Sequence, residues 1–195
     1  MRLKIAFISV LSLAITGCAS FRSYSLPVVA PSDIAFNSTQ KPKVFSRWSI
    51  ETNSKMTNDQ MKAAGAAVHK KYFDDAITKS GCCILVEGPT EADIVVDGKA
   101  VAENNPAAMI PAFITGFSLY TIPSWVTVKA HIKVEAKKAS QTKKYALQDS
   151  MTMVQWLPLV VLMPFKNNPI KEGKAVDENV YNNLIYRMKR DGLLQ

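Results

Sequence analysis

Two histidines and three cysteines are all the classical metal and thiol chemistry in a chain of 195 residues. There is no C-x-x-C pair, no H-E-x-x-H helix, no G-x-S-x-G elbow and no glycine-rich phosphate loop, so the usual signatures of metal, serine-nucleophile and nucleotide chemistry are missing. Charge is also sparse, at 21% of residues. The excess of 24 Lys and Arg over 16 Asp and Glu, a net +8, is scattered along the chain instead of gathered in a basic arm. Nucleic acid is therefore not expected as a partner. With 48% hydrophobic residues the chain is neither fibrous nor disordered and has enough for one ordinary core. His69 lies in a lysine-flanked helical segment and His131 on the polar face of a strand, so both read as surface residues. Asp93 and Asp97 share a strand face without a metal partner, which is thin ground for acid/base work. No catalytic residue, no metal and no enzymatic activity is expected.

What the chain does have begins at its amino terminus. Met1-Arg2-Leu3-Lys4 is a short positive segment, and Ile5 to Thr16 is an apolar run of signal-peptide length, too short to remain across a bilayer. The sequence Ile15-Thr16-Gly17-Cys18, an aliphatic residue, two small ones and a cysteine, resembles the lipobox of bacterial lipoproteins. That resemblance implies cleavage before Cys18, a diacylglycerol joined to its thiol, an acyl chain on the new amino terminus, and no other cofactor. Ala19 and Ser20 lack the aspartate that retains such proteins in the inner membrane, which implies the periplasmic side of the outer membrane. Residues 1–17 are thus read as a lipoprotein signal peptide, 18–42 as the lipidated cysteine with a flexible tether, and 43–195 as a single periplasmic domain. The tether, rich in Ser and Pro from Phe21 to Pro42, would reach at most about 70 Å at roughly 3.3 Å per residue. Val28, Val29, Ile34 and Phe36 are the residues able to dock part of it.

In the domain, Val44 to Ile50 reads as a strand with Val44, Trp48 and Ile50 on one face. Thr57-Asn58-Asp59-Gln60 has the form of a capping box that opens a helix with Met61, Ala64, Val68 and Tyr72 on one stripe and Gly81 as its stop. Strands follow at Cys83 to Val86 and Ala92 to Ala100. Val126, Val128, Ala130, Ile132 and Val134 alternate strictly with polar residues, so that strand has one dry and one wet face. The lysine-rich stretch from Lys137 to Lys144 reads as a solvated turn into a strand from Tyr145 to Met153, and a last helix spans Asp177 to Arg190 with Gly192 beyond it. Side chains of consecutive strand residues point to opposite faces, so Cys82 and Cys83 read as small buried hydrophobes and not as a bonded pair. The order predicts an α/β (α+β) fold, a mixed sheet of about five strands with two helices on one face and an apolar loop insertion.

This order is similar to that of periplasmic accessory lipoproteins such as the penicillin-binding-protein activators, the curli-secretion lipoprotein and the amino-terminal domain of the Tol translocation protein. Ala92-Asp93-Ile94-Val95-Val96-Asp97-Gly98 and the helical stretch Asn179 to Leu184 carry that resemblance. Gly116 to Trp125, the hairpin after it, and Trp156-Leu157-Pro158 through Pro164-Phe165 resemble a group of proteobacterial lipoproteins without an established activity. The resemblance bears on fold and compartment alone.

Two stretches are unusual in carrying no charge, Asn104 to Val128 and Ser150 to Phe165. Prolines interrupt both, and a helix confined between Pro111 and Pro123 would reach only about 18 Å against the roughly 30 Å of a hydrocarbon core. The hairpin reading brings the two stretches to the same end, where Phe117, Ile122, Trp125, Trp156, Leu157 and Phe165 are the candidate residues. Three roles fit them: completing the core, docking a partner, or shallow insertion into the bilayer. Burying Phe117, Ile122, Trp125 or Trp156 against a protein contributes roughly 1.5–3 kcal/mol each. The function expected is a lipid-anchored periplasmic binding or accessory module that presents this face to an envelope protein. The alternative is a carrier or shield for a lipid or other hydrophobic ligand.

Overall fold

A hairpin of two long strands organises the chain, and its strict alternation of apolar and polar residues is what makes it a half-buried ribbon. In the computed structural model, which describes residues 18–36, 40–55, 57–103, 109–159 and 169–194, this ribbon is β5 (Ser124–Lys138) and β6 (Gln141–Gln155). The fold is α+β, with a mixed sheet of six strands. The remaining strands are β1 (Cys18–Arg22), β2 (Lys43–Thr52), β3 (Ile84–Leu85) and β4 (Ile94–Ala102). The helices are α1 (Pro31–Ile34), α2 (Asp59–Ser80), α3 (Met109–Phe117) and α4 (Pro169–Arg190). The described residues fall into two compact units, one made of those within 1–23, 105–128 and 150–174 (unit 1), the other of those within 24–104, 129–149 and 175–195 (unit 2).

Unit 2 holds the large core. Its strands run in the order β6-β5-β4-β2-β3, with β2 parallel to both β4 and β3 and β4 antiparallel to β5. Ile94, Val96 and Ala100 of β4, Ile132, Val134 and Ala136 of β5, and Tyr145 and Leu147 of β6 turn one face inward. Phe73, Ala76 and Ile77 of α2 and Val180, Tyr181, Leu184, Ile185 and Met188 of α4 close over it. The buried stripe of α2 therefore runs through Phe73 and Ile77, and Met61 and Val68, expected to share the inward face, are exposed. The bulkier side chains near the carboxyl end of the helix decide which face turns to the sheet. Asn58 caps α2, its side-chain oxygen accepting from the Met61 N–H at 2.8 Å, one residue later than the expected cap, and Gly81 ends the helix in the left-handed conformation at φ 65°.

Two expectations are corrected here. Cys82 and Cys83 form a vicinal disulfide. They precede β3 and follow the helix stop, outside any strand, so the opposite-face argument does not apply to them. The second correction concerns the tether. Leu26, Val29 and Ile34 are buried in the core of unit 2, and Asn179 and Asn183 on α4 hold the backbone of this segment. Lys189 adds hydrogen bonds to the carbonyls of Asp33 and Ala35 and lies 4.6 Å over the ring of Phe36. Residues 24–36 are a strap docked on the last helix.

The wet face of the unit 2 sheet is a ladder of opposite charges. Arg47 pairs with Asp97, Lys137 with Glu135 at 2.9 Å, Lys144 with Glu135 at 3.6 Å and Lys133 with Glu51 at 3.1 Å. The lysine turn is shorter than expected, because the strands extend to Lys138 and Gln141 and only Ala139 and Ser140 join them.

Unit 1 contains β1 and the far ends of the hairpin, in the order β1-β6-β5. β1 runs antiparallel to β6 from Cys18 opposite Gln155 to Arg22 opposite Met151. Arg22 donates to the carboxylate of Glu172 at 2.5 Å, a partly buried ion pair that fastens the far end of β1. Residues 1–17, expected to be a signal peptide, and Phe165 lie outside the described residues.

Candidate functional site

The residues before β5 form a helix, α3, where a loop was expected. Pro111 falls in its first turn, where no intrahelical partner is lost, so it permits the helix instead of breaking it. Ile110, Phe113, Ile114 and Phe117 follow one another at intervals of three, one and three residues, the spacing of one helical stripe. This stripe faces outward: Phe113 is 71% and Phe117 97% exposed. Thr115, a polar residue, is buried on the other side. The amphipathic pattern is inverted relative to that of a helix packed on its own core.

A tight turn follows. Leu119 and Tyr120 both have positive φ, 50° and 62°, an arrangement that costs side-chain-bearing residues about 1 kcal/mol or more each. Hydrogen bonds hold it: the Tyr120 N–H donates to the Thr115 carbonyl at 2.8 Å, and the Ser118 hydroxyl donates to the same carbonyl at 3.1 Å. The other apolar stretch reaches this turn from the end of β6. The Leu157 N–H donates to the Tyr120 carbonyl at 2.8 Å and the Trp156 indole N–H to the Thr121 carbonyl at 3.3 Å. Bringing the two uncharged stretches together is thus the work of the hairpin and of these two bonds.

Phe117, Ile122, Trp125 and Trp156 are all exposed, Trp125 at 65%, while Leu157 is half-buried. Leu119, 76% exposed, and the α3 stripe enlarge the patch beyond the residues expected from sequence. Monomers rarely expose so many large apolar side chains in one segment, which makes this end a candidate contact surface. A 3-1-3 apolar spacing between Ile110 and Phe117 was the readable signal for the extra residues, masked by Pro111.

The charged candidates are engaged elsewhere. The Asp93 carboxylate accepts the Lys43 N–H at 2.8 Å, and that of Asp97 is held by Arg47. His69 is half-buried, not a surface residue, and its Nδ1 lies 2.8 Å from the Tyr181 hydroxyl within an aromatic cluster of Trp48, Tyr72 and Phe73. Burial depresses its pKa below the ordinary histidine value. In the same region burial pushes Asp177 up to about 6. Among the described residues no group of three or more His, Cys, Asp or Glu is gathered as a metal site.

The chain matches no protein-family model and no curated protein sequence. Among solved structures it is similar to a single-substitution variant of the PelC dodecamer from Paraburkholderia phytofirmans, at 11% identity over 86% of this chain and 96% of that one, with a TM-score of 0.34. It is also similar to a hypothetical protein of Chlamydia trachomatis, at 10% identity over 80% of this chain and 96% of that one, with a TM-score of 0.38. These likenesses are distant.

Proposed function

We propose that this chain is a lipid-anchored binding or accessory module of the bacterial cell envelope, acylated on Cys18, held on the periplasmic side of the outer membrane, and without catalytic activity of its own. Its contact surface is the apolar end of unit 1. The observation that supports this reading is the exposure of the α3 stripe, Ile110, Phe113, Ile114 and Phe117, and of Trp125 and Trp156, all within unit 1. Uncovering so much apolar surface costs free energy in water and is recovered only when another hydrophobic body covers it. The wet face of unit 2, by contrast, satisfies its charges internally through Arg47, Asp97, Glu135 and Lys137.

The anchor is tested by Cys18→Ser. Wild-type protein is expected in outer-membrane fractions with the added mass of its acyl chains, and the variant as an unprocessed or soluble form. Identical fractionation and mass for the two would overturn the reading.

A further inference from the structure

The lipidation proposed above, on which the following rests, acquires a definite geometry from strand register. Cys18 stands opposite Gln155 in β6. The side chains of Thr127 and Thr152 meet at 3.0 Å across the hairpin, and the two-residue turn at Ala139 and Ser140 keeps the same register, which places Gln155 opposite Ser124 at the start of β5. Cys18, Gln155 and Ser124 therefore lie in one row across three strands, about 10 Å wide at the usual strand spacing. Trp125 and Trp156 are the chain neighbours of two members of that row. From Ala19 to Arg22 the chain pairs residue by residue with β6, so no slack separates an anchored Cys18 from the unit. A long tether would have allowed the domain to stand away from the bilayer. This strand brings the bilayer to the row itself.

What surrounds the row suits that neighbour. The described parts of the two uncharged stretches, 109–128 and 150–159, contain no charge. α3, nine residues long, spans about 14 Å, which is far too short to cross a membrane but is compatible with lying in the interface with an apolar stripe down. No described helix is long and apolar enough to cross. Trp125 and Trp156 are of the residue type that favours the boundary between hydrocarbon and water. The first charges along β1 are Arg22 and its partner Glu172, four residues and about 13 Å beyond Cys18, which sets a limit consistent with burial of about 5–10 Å.

We infer that the apolar end of unit 1 is a membrane-seating face: with Cys18 acylated, Phe113, Phe117, Ile122, Trp125 and Trp156 are covered by the phospholipid leaflet that holds the anchor. A protein partner at this face would have to displace lipid that the anchor keeps at high local concentration. The face thus sets how the module stands on the membrane, in addition to the acyl chains that keep it there.

The test uses the full acylated protein, reconstituted into vesicles of phosphatidylethanolamine and phosphatidylglycerol that contain phospholipid brominated on its acyl chains near the interface. Bromine quenches tryptophan on contact, so about a twofold loss of emission is expected for wild type, with a blue shift, if Trp125 and Trp156 sit within the boundary region. The Trp125→Phe, Trp156→Phe double variant, altered only at exposed positions, should float with the vesicles and lose little of its remaining Trp48 emission. Wild-type protein that floats but is not quenched would overturn the seating face while leaving the anchor in place. Equal fractional quenching of the double variant would overturn it too, by assigning the signal to Trp48. Protein that carries no acyl chains would overturn the anchor reading and this inference with it.

Discussion

The side-chain amide of Asn183 donates to the carbonyl of Pro27 at 2.9 Å, joining residues 156 positions apart in the chain. Asn179, one turn earlier on α4, donates to the same carbonyl at 3.2 Å and accepts the Val29 N–H at 3.3 Å. Two asparagines thus supply the partners that an irregular segment cannot supply to itself. Pro27 contributes no N–H of its own, which fits a carbonyl-only contact at that point.

Asn183→Ala is therefore expected to destabilise the protein by about 1–2 kcal/mol, because the buried Asn183 side chain is lost and the partly buried Pro27 carbonyl keeps only the weaker of its two amide donors. Limited trypsin digestion should show the strap loosening through faster cleavage after Arg22 and Lys41. A variant with wild-type urea midpoint and wild-type digestion would show that the strap is held by Leu26, Val29 and Ile34 alone.

Gly98 carries a second close contact. It stands opposite Trp48 in the parallel pair of β2 and β4, and a Cβ added there would lie 2.5 Å from Cδ2 and Cζ3 of the indole. Trp48 in turn packs edge-on to Tyr181 with ring centroids 5.3 Å apart, so it has little room to retreat. Gly98→Ala should cost about 1–3 kcal/mol by overpacking. In a Trp48→Leu background the same change should cost less, and the difference measured by urea unfolding reports the clash itself.

Those parts of the fold whose evidence is local were legible in the sequence. β5 and β6 follow from strict alternation between Val126 and Val134, and α2 from a capping signal at Thr57 to Gln60, one residue off the actual cap Asn58, and from its glycine stop. The meeting of the two uncharged stretches was legible too, because a hairpin brings the segment before its first strand and the segment after its second to the same end. What was not legible depends on distant partners. The Ser and Pro content of residues 21–42 suggests a free tether, and only the asparagines of α4, some 150 positions away, show where it docks. α3 was hidden because Pro111 was read as a breaker, although a proline in the first turn breaks nothing. The disulfide was excluded on strand parity, which failed because β3 begins only at Ile84.

Titration of unit 2 should show the penalty of burying Asp177. Its pKa rises from 3.8 to about 6 on folding because burial disfavours the charged carboxylate. Between those values the folded state binds more protons than the unfolded one, so stability falls as pH rises. The contribution of the neutral carboxyl is complete below 3.8 and is lost as pH passes through about 6. His69 acts in the opposite sense, since its depressed pKa makes the folded state resist protonation and lowers stability as pH falls below 6.5. Asp177→Asn is expected to raise stability at neutral pH by up to about 2 kcal/mol and to remove the fall in stability that Asp177 causes between 3.8 and about 6, leaving the opposite slope of His69. Urea midpoints measured on both sides of that window check the sign. An unchanged slope in the variant would mean that Asp177 is hydrated when folded.

The exposed aromatics of unit 1 make the sharpest contrast in stability. Removing a side chain from a packed core loses its transfer free energy and leaves a cavity, at about 3–5 kcal/mol for Phe or Trp. Removing one that stands in solvent loses almost no packing, and such changes usually stay within about 1 kcal/mol. Phe117, 97% exposed, and Trp125, 65% exposed, belong to the second class, and Phe73, fully buried against the unit 2 sheet, to the first. Phe117→Ala and Trp125→Ala should therefore leave the urea midpoint of the detergent-solubilised protein nearly unchanged, while Phe73→Ala lowers it strongly. The measurement separates a contact face from a core independently of what covers the face. Should Phe117→Ala and Trp125→Ala each cost more than about 3 kcal/mol, these side chains complete a core and no surface is left at this end to meet either a membrane or a partner.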